Sequence, residues 1–309
     1  MRLHFSPKQN FGDALNPLLW NWVFPNLEEV SNGWDFFGVG TLLKKDMHST
    51  LDCPKLVMGS GYGYGNAVKI DKNWNFGFVR GIHTCRKLKI PECFGIGDPA
   101  VLLLEKPEIK KMISKPGNKN LLIPHHRSEE SADWKRLAGL LDFNFCSPTE
   151  SVDQIVKTIS RSKTVFTESL HVAIFADSLK VPWVPIFSAK YLNFFKRKDW
   201  CSSVNVKFCP LIFPRPFYSR NIPLTKKVAS LPKLLLGKIG LIKRYKLTPF
   251  SPIKDDQLPT YAQEISNLFN NAFPSLSTKQ RKDEILLRMQ ESLVNSCEKY
   301  GLCMNQTLT

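Results

Sequence analysis

The sequence predicts an α/β protein of two Rossmann-like domains, each a parallel sheet covered on both faces. Three observations carry this. Short apolar runs rich in β-branched and aromatic residues alternate with segments of helical periodicity. Glycine-rich joints follow several of the runs. The same alternation then begins again after a polar stretch near residues 108–120. With 309 residues, 43% of them apolar, the chain can bury two ordinary cores.

In chain order, "MRLHFS" reads as a first strand. "NFGDALNPLLWNWVF" opens as a turn and becomes helical, with Leu15, Leu18, Leu19 and Trp22 at helix spacing. "WDFFGVGTLL", "PKLVMGSGYGYG", "NFGFVRG" and "ECFGIGDPAVLLL" read as strand units that complete a domain of residues 1–112. A second domain, 113–200, runs strand "NLLIPHH", helix "ADWKRLAGLL", strand "DFNFCSP", helix "ESVDQIVKTISRS", strand "TVFTES", helix "LHVAIFADSLK" and strand "VPWVPIF". Residues 201–309 form a basic, proline-containing extension ending in two helices, which pack on the domains or on a second copy. The last helix has Thr278 as N-cap, Ile285, Met289 and Leu293 on one face, and Gly301 as its stop.

Composition narrows the class. No run of eighteen apolar residues exists to span a membrane, and the first residues lack the apolar region and cleavage site of a secretory signal. Eight cysteines, none in a C-x-x-C pair or at zinc spacing with histidine, read as reduced thiols of a cytoplasmic protein without a structural metal. The net charge is +16, and no acidic residue occurs from Trp200 to Lys254. That field suits a phosphorylated substrate, an anionic membrane surface or nucleic acid, or else a merely solvated basic face. Nucleic acid is the poorest fit, because the basic run Lys226–Lys246 holds a single aromatic, Tyr245, and no interleaved set of stacking rings.

In an open α/β sheet the ligand crevice lies beyond the carboxyl ends of the strands. The candidates share that placement: Asn10, Gly12 and Asp13; Gly61 within "GSGYGYG"; Arg80; Asp98; His125 and His126; Glu168, Ser169 and His171. Gly12 allows close backbone approach beside a helix start, while Asp13 is either a ligand or only an N-cap. The glycine loop is no nucleotide fingerprint, since neither G-K-[ST] nor the G-x-G-x-x-G context follows. Arg80 offers a guanidinium suited to phosphate or carboxylate. His125 and His126 leave a strand in divergent directions, which disfavours a metal pair. His171, set in a first helical turn, is either a satisfied core residue or a proton donor and acceptor at the cleft, with Glu168 to orient it or to hold an acceptor hydroxyl.

The order of "NFGDALN", "LVMGSGYGYG", "VRGIHT", "GIGDPAVLL", "IPHH" and "ESLHVAIFADSLKVPW", to about Phe187, resembles the polysaccharide pyruvyl transferase family. It is most similar to the branch that decorates bacterial exopolysaccharides. The resemblance implies a GT-B-like fold with the two domains facing a central cleft. It also implies transfer of the enolpyruvyl part of phosphoenolpyruvate to a sugar diol as a ketal, with no cofactor beyond that donor. His171 corresponds to the family's histidine and Arg80 to its donor-binding arginine. Ser169 stands where the family often has a second arginine, with Arg161 and Arg127 as substitutes. A lipid-linked acceptor would place the basic stretch against the inner face of a membrane. The alternative on the same fold is a glycosyltransferase that uses a nucleotide sugar.

Overall fold

The computed structural model describes residues 1–5, 11–30, 33–44, 53–63, 65–188, 192–218 and 253–308. Asn10, the side chain of Asp13 and the basic stretch from Lys226 to Lys246 lie outside the described residues.

The first sheet holds β1 (Arg2–His4), β2 (Asp35–Phe37), β3 (Lys55–Met58) and β4 (Trp74–Phe78), all parallel and in sequential order. Helix α1 (Phe11–Val23) lays Leu15, Leu19, Trp20 and Val23 on one face. Trp20 meets Phe36 of β2 edge-on, ring centroids 4.8 Å apart. Helix α2 (Ile82–Leu88) covers the other face through Cys85 and Leu88. Among the described residues no reversal of strand order occurs in this sheet, whereas the second sheet has one, the doubly wound pattern of a Rossmann-like unit.

One expected strand is absent. "ECFGIGDPAVLLL" forms two 3-10 turns, Glu92–Phe94 and Pro99–Glu105, and its one backbone bridge to the sheet among the described residues is Val79–Gly95. The local cause is Asp98-Pro99. Proline favours the first helical position, and the Asp98 carboxylate caps the amide of Ala100 at 3.1 Å. The apolar residues that looked like a strand instead bury the turn against α7, introduced below.

After α3 (Pro107–Lys110) comes the second sheet, in the order β6 (Asn144–Phe145), β5 (Leu121–Ile123), β7 (Val165–Thr167), β8 (Trp183–Phe187) and β9 (Leu211–Ile212), again all parallel. Its helices are α4 (His126–Glu129), α5 (Trp134–Leu140), α6 (Val152–Ser160), α7 (Leu170–Ser178) and α8 (Phe194–Ser203). Polar side chains cap all five: His125, Asp133, Ser151, Ser169 and Asn193 each accept from an amide in the first turn. The extension adds β9 to this sheet, then α9 (Leu258–Asn270) and α10 (Lys279–Tyr300). No helix among the described residues is long and apolar enough to cross a membrane.

One apolar cluster runs through both sheets. It joins Phe11, Leu15 and Leu19 of α1 to Ile155 and Ile159 of α6 and Phe175 of α7. Phe11 and Phe175 pack edge to face at 5.0 Å, and burying each contributes about 1.5–3 kcal/mol. A second cluster, with Trp134, Phe166, Tyr261 and Phe269, holds α5 and α9 on the outer face of the second sheet. Helix α10 returns to the first sheet, burying Ile285, Met289 and Leu293 at four-residue spacing. Thr278 caps it, and Gly301, with φ 69°, ends it.

Candidate active site

The second sheet reverses direction between β5 and β7, which is where an open sheet leaves its ligand crevice. His125 and His126 follow β5, Glu168 to His171 follow β7, and α8 follows β8. Packed against them from the first half are the first turn of α1, the glycine loop after β3, the end of β4 and Asp98.

His171 stands in the first turn of α7 and keeps 15% of its side-chain surface exposed. Its ring lies against α1, where a Cβ built on Gly12 would overlap Nδ1 and Cε1. That contact requires glycine. Nε2 points the other way, to Asp98 Oδ2 at 3.8 Å, and neither atom has a hydrogen-bond partner among the described residues. Burial, with the charges of Lys196, Arg80 and Arg197, holds the imidazole down to about 3. Burial also pushes the Asp98 carboxyl up to about 6, against the opposing pull of Arg80. The imidazole is therefore neutral near pH 7 and adjoins a carboxylate.

Arg80 is wholly enclosed. Its Nε donates to Asp199 Oδ2 at 3.1 Å, Nη2 to the Tyr62 carbonyl at 2.6 Å, and Nη1 to Thr41 Oγ1 at 3.3 Å. Gly61 passes so close over the guanidinium that a Cβ there would overlap Cζ and Nη2. Asp199, in α8, also accepts from the amide and hydroxyl of Thr84 at 2.8 and 2.6 Å. The arginine thus ties β4 and the glycine loop to α8, and its charge acts on His171 and Asp98 from behind the loop.

Glu168 is equally buried, and its carboxylate serves the backbone. Oε2 accepts from the His125 amide at 2.9 Å; Oε1 accepts from the Ser188 amide at 3.0 Å and its hydroxyl at 2.5 Å. It stitches together the loops after β5, β7 and β8 and makes no bond to His171. Ser169 spends its hydroxyl as the cap of α7. The rings of His125 and His126, expected to diverge, instead lie side by side, centroids 4.1 Å apart and tilted by 33°, because the chain turns from β5 into α4 at His125, whose Nδ1 caps the Arg127 amide; burial, then the charges of His126, Lys196, Arg197 and Arg127, holds His125 down to about 2.

Sequence reasoning passed over Lys196 and Arg197. They sit in the first turns of α8, within "FKRKDW", and their charges act on both His171 and His125. Arg197 lies over the Phe187 ring at 4.7 Å and donates to the Asn193 carbonyl at 2.9 Å. Asn193, the cap, reaches across to the Gly63 carbonyl, which brings the start of α8 to the glycine loop. The one available signal was position: the pair follows a strand end at a helix start, as the chosen candidates do. Of the two proposed substitute cations, Arg127 is close enough to act on His125. Arg161 is elsewhere, at the end of α6, donating to Ser114.

This arrangement of His171, an unpaired carboxylate oxygen of Asp98, two cations at the start of α8 and the buried Arg80 behind them is set in a chain with a known family. Residues 30–187, just over half of the chain, match the family model described as polysaccharide pyruvyl transferase. The chain belongs to the polysaccharide pyruvyl transferase family. It is also 32% identical over 207 residues, 66% of its length, to the succinoglycan biosynthesis protein ExoV of Rhizobium meliloti (strain 1021). That match spans 65% of the relative's own length. No solved structure matches the chain. Within this transferase-family chain, Arg80, Asp98, His125, Glu168 and His171 fall inside the family match, while Gly12, Lys196 and Arg197 lie outside it.

Proposed function

We propose that the protein transfers pyruvate from phosphoenolpyruvate, as a ketal, onto a sugar diol of a polysaccharide or its oligosaccharide precursor, in a GT-B-like cleft between the two sheets. The observation that carries this reading is the gathering of His171, Lys196, Arg197 and the charge of Arg80 at one gap, between the starts of α1, α7 and α8. A donor bearing a carboxylate and a phosphate needs fixed cations and helix N-termini. Lys196 and Arg197 act as the donor-facing cations, and Arg80 adds its charge from behind the glycine loop.

The chemistry follows from a neutral imidazole that becomes basic when an anion arrives. A bound donor offsets the nearby cations, so the proton affinity of His171 rises and it enters the reaction protonated. It gives that proton to the enol carbon of the donor. One sugar hydroxyl then adds to the neighbouring carbon and returns its proton to the imidazole. The C–O bond to phosphate breaks, the second hydroxyl closes on the same carbon, and its proton leaves with the phosphate. One donor and one diol give one ketal and one inorganic phosphate. Glu168 holds the three loops in register for this sequence.

Incubation of the full chain with radiolabelled phosphoenolpyruvate and an exopolysaccharide acceptor tests the reading. Label entering the glycan with equimolar phosphate release is expected, reduced roughly 100-fold or more in His171→Ala. Near-normal turnover in that variant would return His171 to the apolar core. Incorporation only from a nucleotide sugar would replace pyruvyl transfer by glycosyl transfer.

A further inference from the structure

Asp98 has a partly unused carboxylate. It is 1% exposed, and Oδ1 is committed to the amide of Ala100. Oδ2 has no partner among the described residues and lies 3.8 Å from an equally unpartnered, buried His171 Nε2. Two such atoms facing each other without a bond are costly unless something closes the space between them. The groups that face the pair are Arg80 at the end of β4, Lys196 and Arg197 in α8, and Asp199, which Arg80 already engages. A shift of about 1 Å, made by a small turn of the imidazole, brings Nε2 and Oδ2 to about 2.8 Å, an ordinary charge-assisted hydrogen bond.

We propose that Asp98 is the positioning residue of the catalytic histidine, not a substrate ligand. In this reading, which rests on that of the site as a pyruvyl-transfer centre, Oδ2 accepts the Nε2 proton and holds the imidazole in the Nε2–H tautomer. The ring nitrogens diverge, so the bond to Asp98 leaves Nδ1, on the Gly12 side, as the atom that takes up and delivers the proton. Asp98 also supplies the counter-charge for the imidazolium formed when the donor binds, among cations that otherwise oppose it. Its place before Pro99 suits the task, because the proline and the cap to Ala100 fix the carboxylate in one orientation.

Long-range proton–nitrogen spectra of the full chain labelled at histidine nitrogen test this, with the His171 signals identified by their loss in His171→Asn. The wild type is expected as the Nε2–H tautomer, and Asp98→Asn as a mixture or the Nδ1–H form. Asp98→Asn is also expected to lower kcat with phosphoenolpyruvate roughly 100-fold with little change in KM, and Asp98→Glu to recover part of it. A wild type in the Nδ1–H form overturns the proposal even if Asp98→Asn does not fold, and so does an identical tautomer in wild type and Asp98→Asn. An Asp98-dependent tautomer in a protein that releases no phosphate from phosphoenolpyruvate supports the pairing and removes the pyruvyl-transfer reading.

Discussion

Gly12 decides where the histidine ring can stand. The imidazole occupies the space that a side chain at position 12 would fill, so the helix start of one lobe and the candidate catalytic group of the other are fitted together. Gly12→Ala separates fit from fold. Alanine favours a helix over glycine by about 1 kcal/mol, so α1 itself is not weakened. The ring, however, must move away from Nδ1's present position. The expected outcome is turnover reduced at least tenfold with urea stability changed by less than about 1–2 kcal/mol; unaltered turnover contradicts the contact. That Gly12 and His171 belonged to a site was legible from strand-end placement. That they touch was not, because they lie 159 positions apart in the chain and only the packing of α1 on α7 brings them together. Glu168 shows the same limit. Its position after a β-branched run was readable, but its backbone partners, the amides of His125 and Ser188, lie 43 and 20 residues away on two other loops.

Among the elements, α8 holds the site closed. Its Asp199 pairs with Arg80 at 0% exposure on both sides, so the join between the lobes contains an ion pair shielded from water. Asp199→Ala leaves a guanidinium charge buried and opens the bonds to Thr84. A loss of about 3–5 kcal/mol in urea unfolding is expected; a loss below about 1 kcal/mol would show that solvent reaches the pair. The helix itself was hidden in the sequence, since "FKRKDW" has the charge density of a solvated face and low apolar content. Only the fold reveals that Arg197 and Asp199 point inward while Lys198 points out. Elements with strong local signals were legible in full: Thr278 and Gly301 bracket α10, and the apolar runs became β5, β7 and β8. The segment around Cys93 to Ile96 misled because a short apolar run with glycines looks alike as a strand or as a turn, and the deciding residues, Asp98 and Pro99, come after it.

For the whole molecule, the two sheets act as one body because α1, α8 and α10 each touch both halves. The net charge of +16 supplies a long-range attraction for anions, and the gap adds local cations and helix starts. These features make a specific prediction about protons. With the site empty, burial and three cations hold His171 down to about 3, so it is unprotonated near neutrality. A polyanionic donor raises its proton affinity, so binding takes up a proton, and by linkage affinity increases as pH falls from about 8 to about 7, by at most tenfold per pH unit for one proton. Calorimetric titration of phosphoenolpyruvate into the full chain, repeated in two buffers of different protonation enthalpy, measures affinity and proton uptake together. Saturable binding with net uptake of up to one proton is predicted, weakened at least tenfold in Lys196→Ala and stripped of its proton uptake in His171→Asn. Absence of binding in the wild type, or binding with no proton uptake and no dependence on Lys196, would contradict the account.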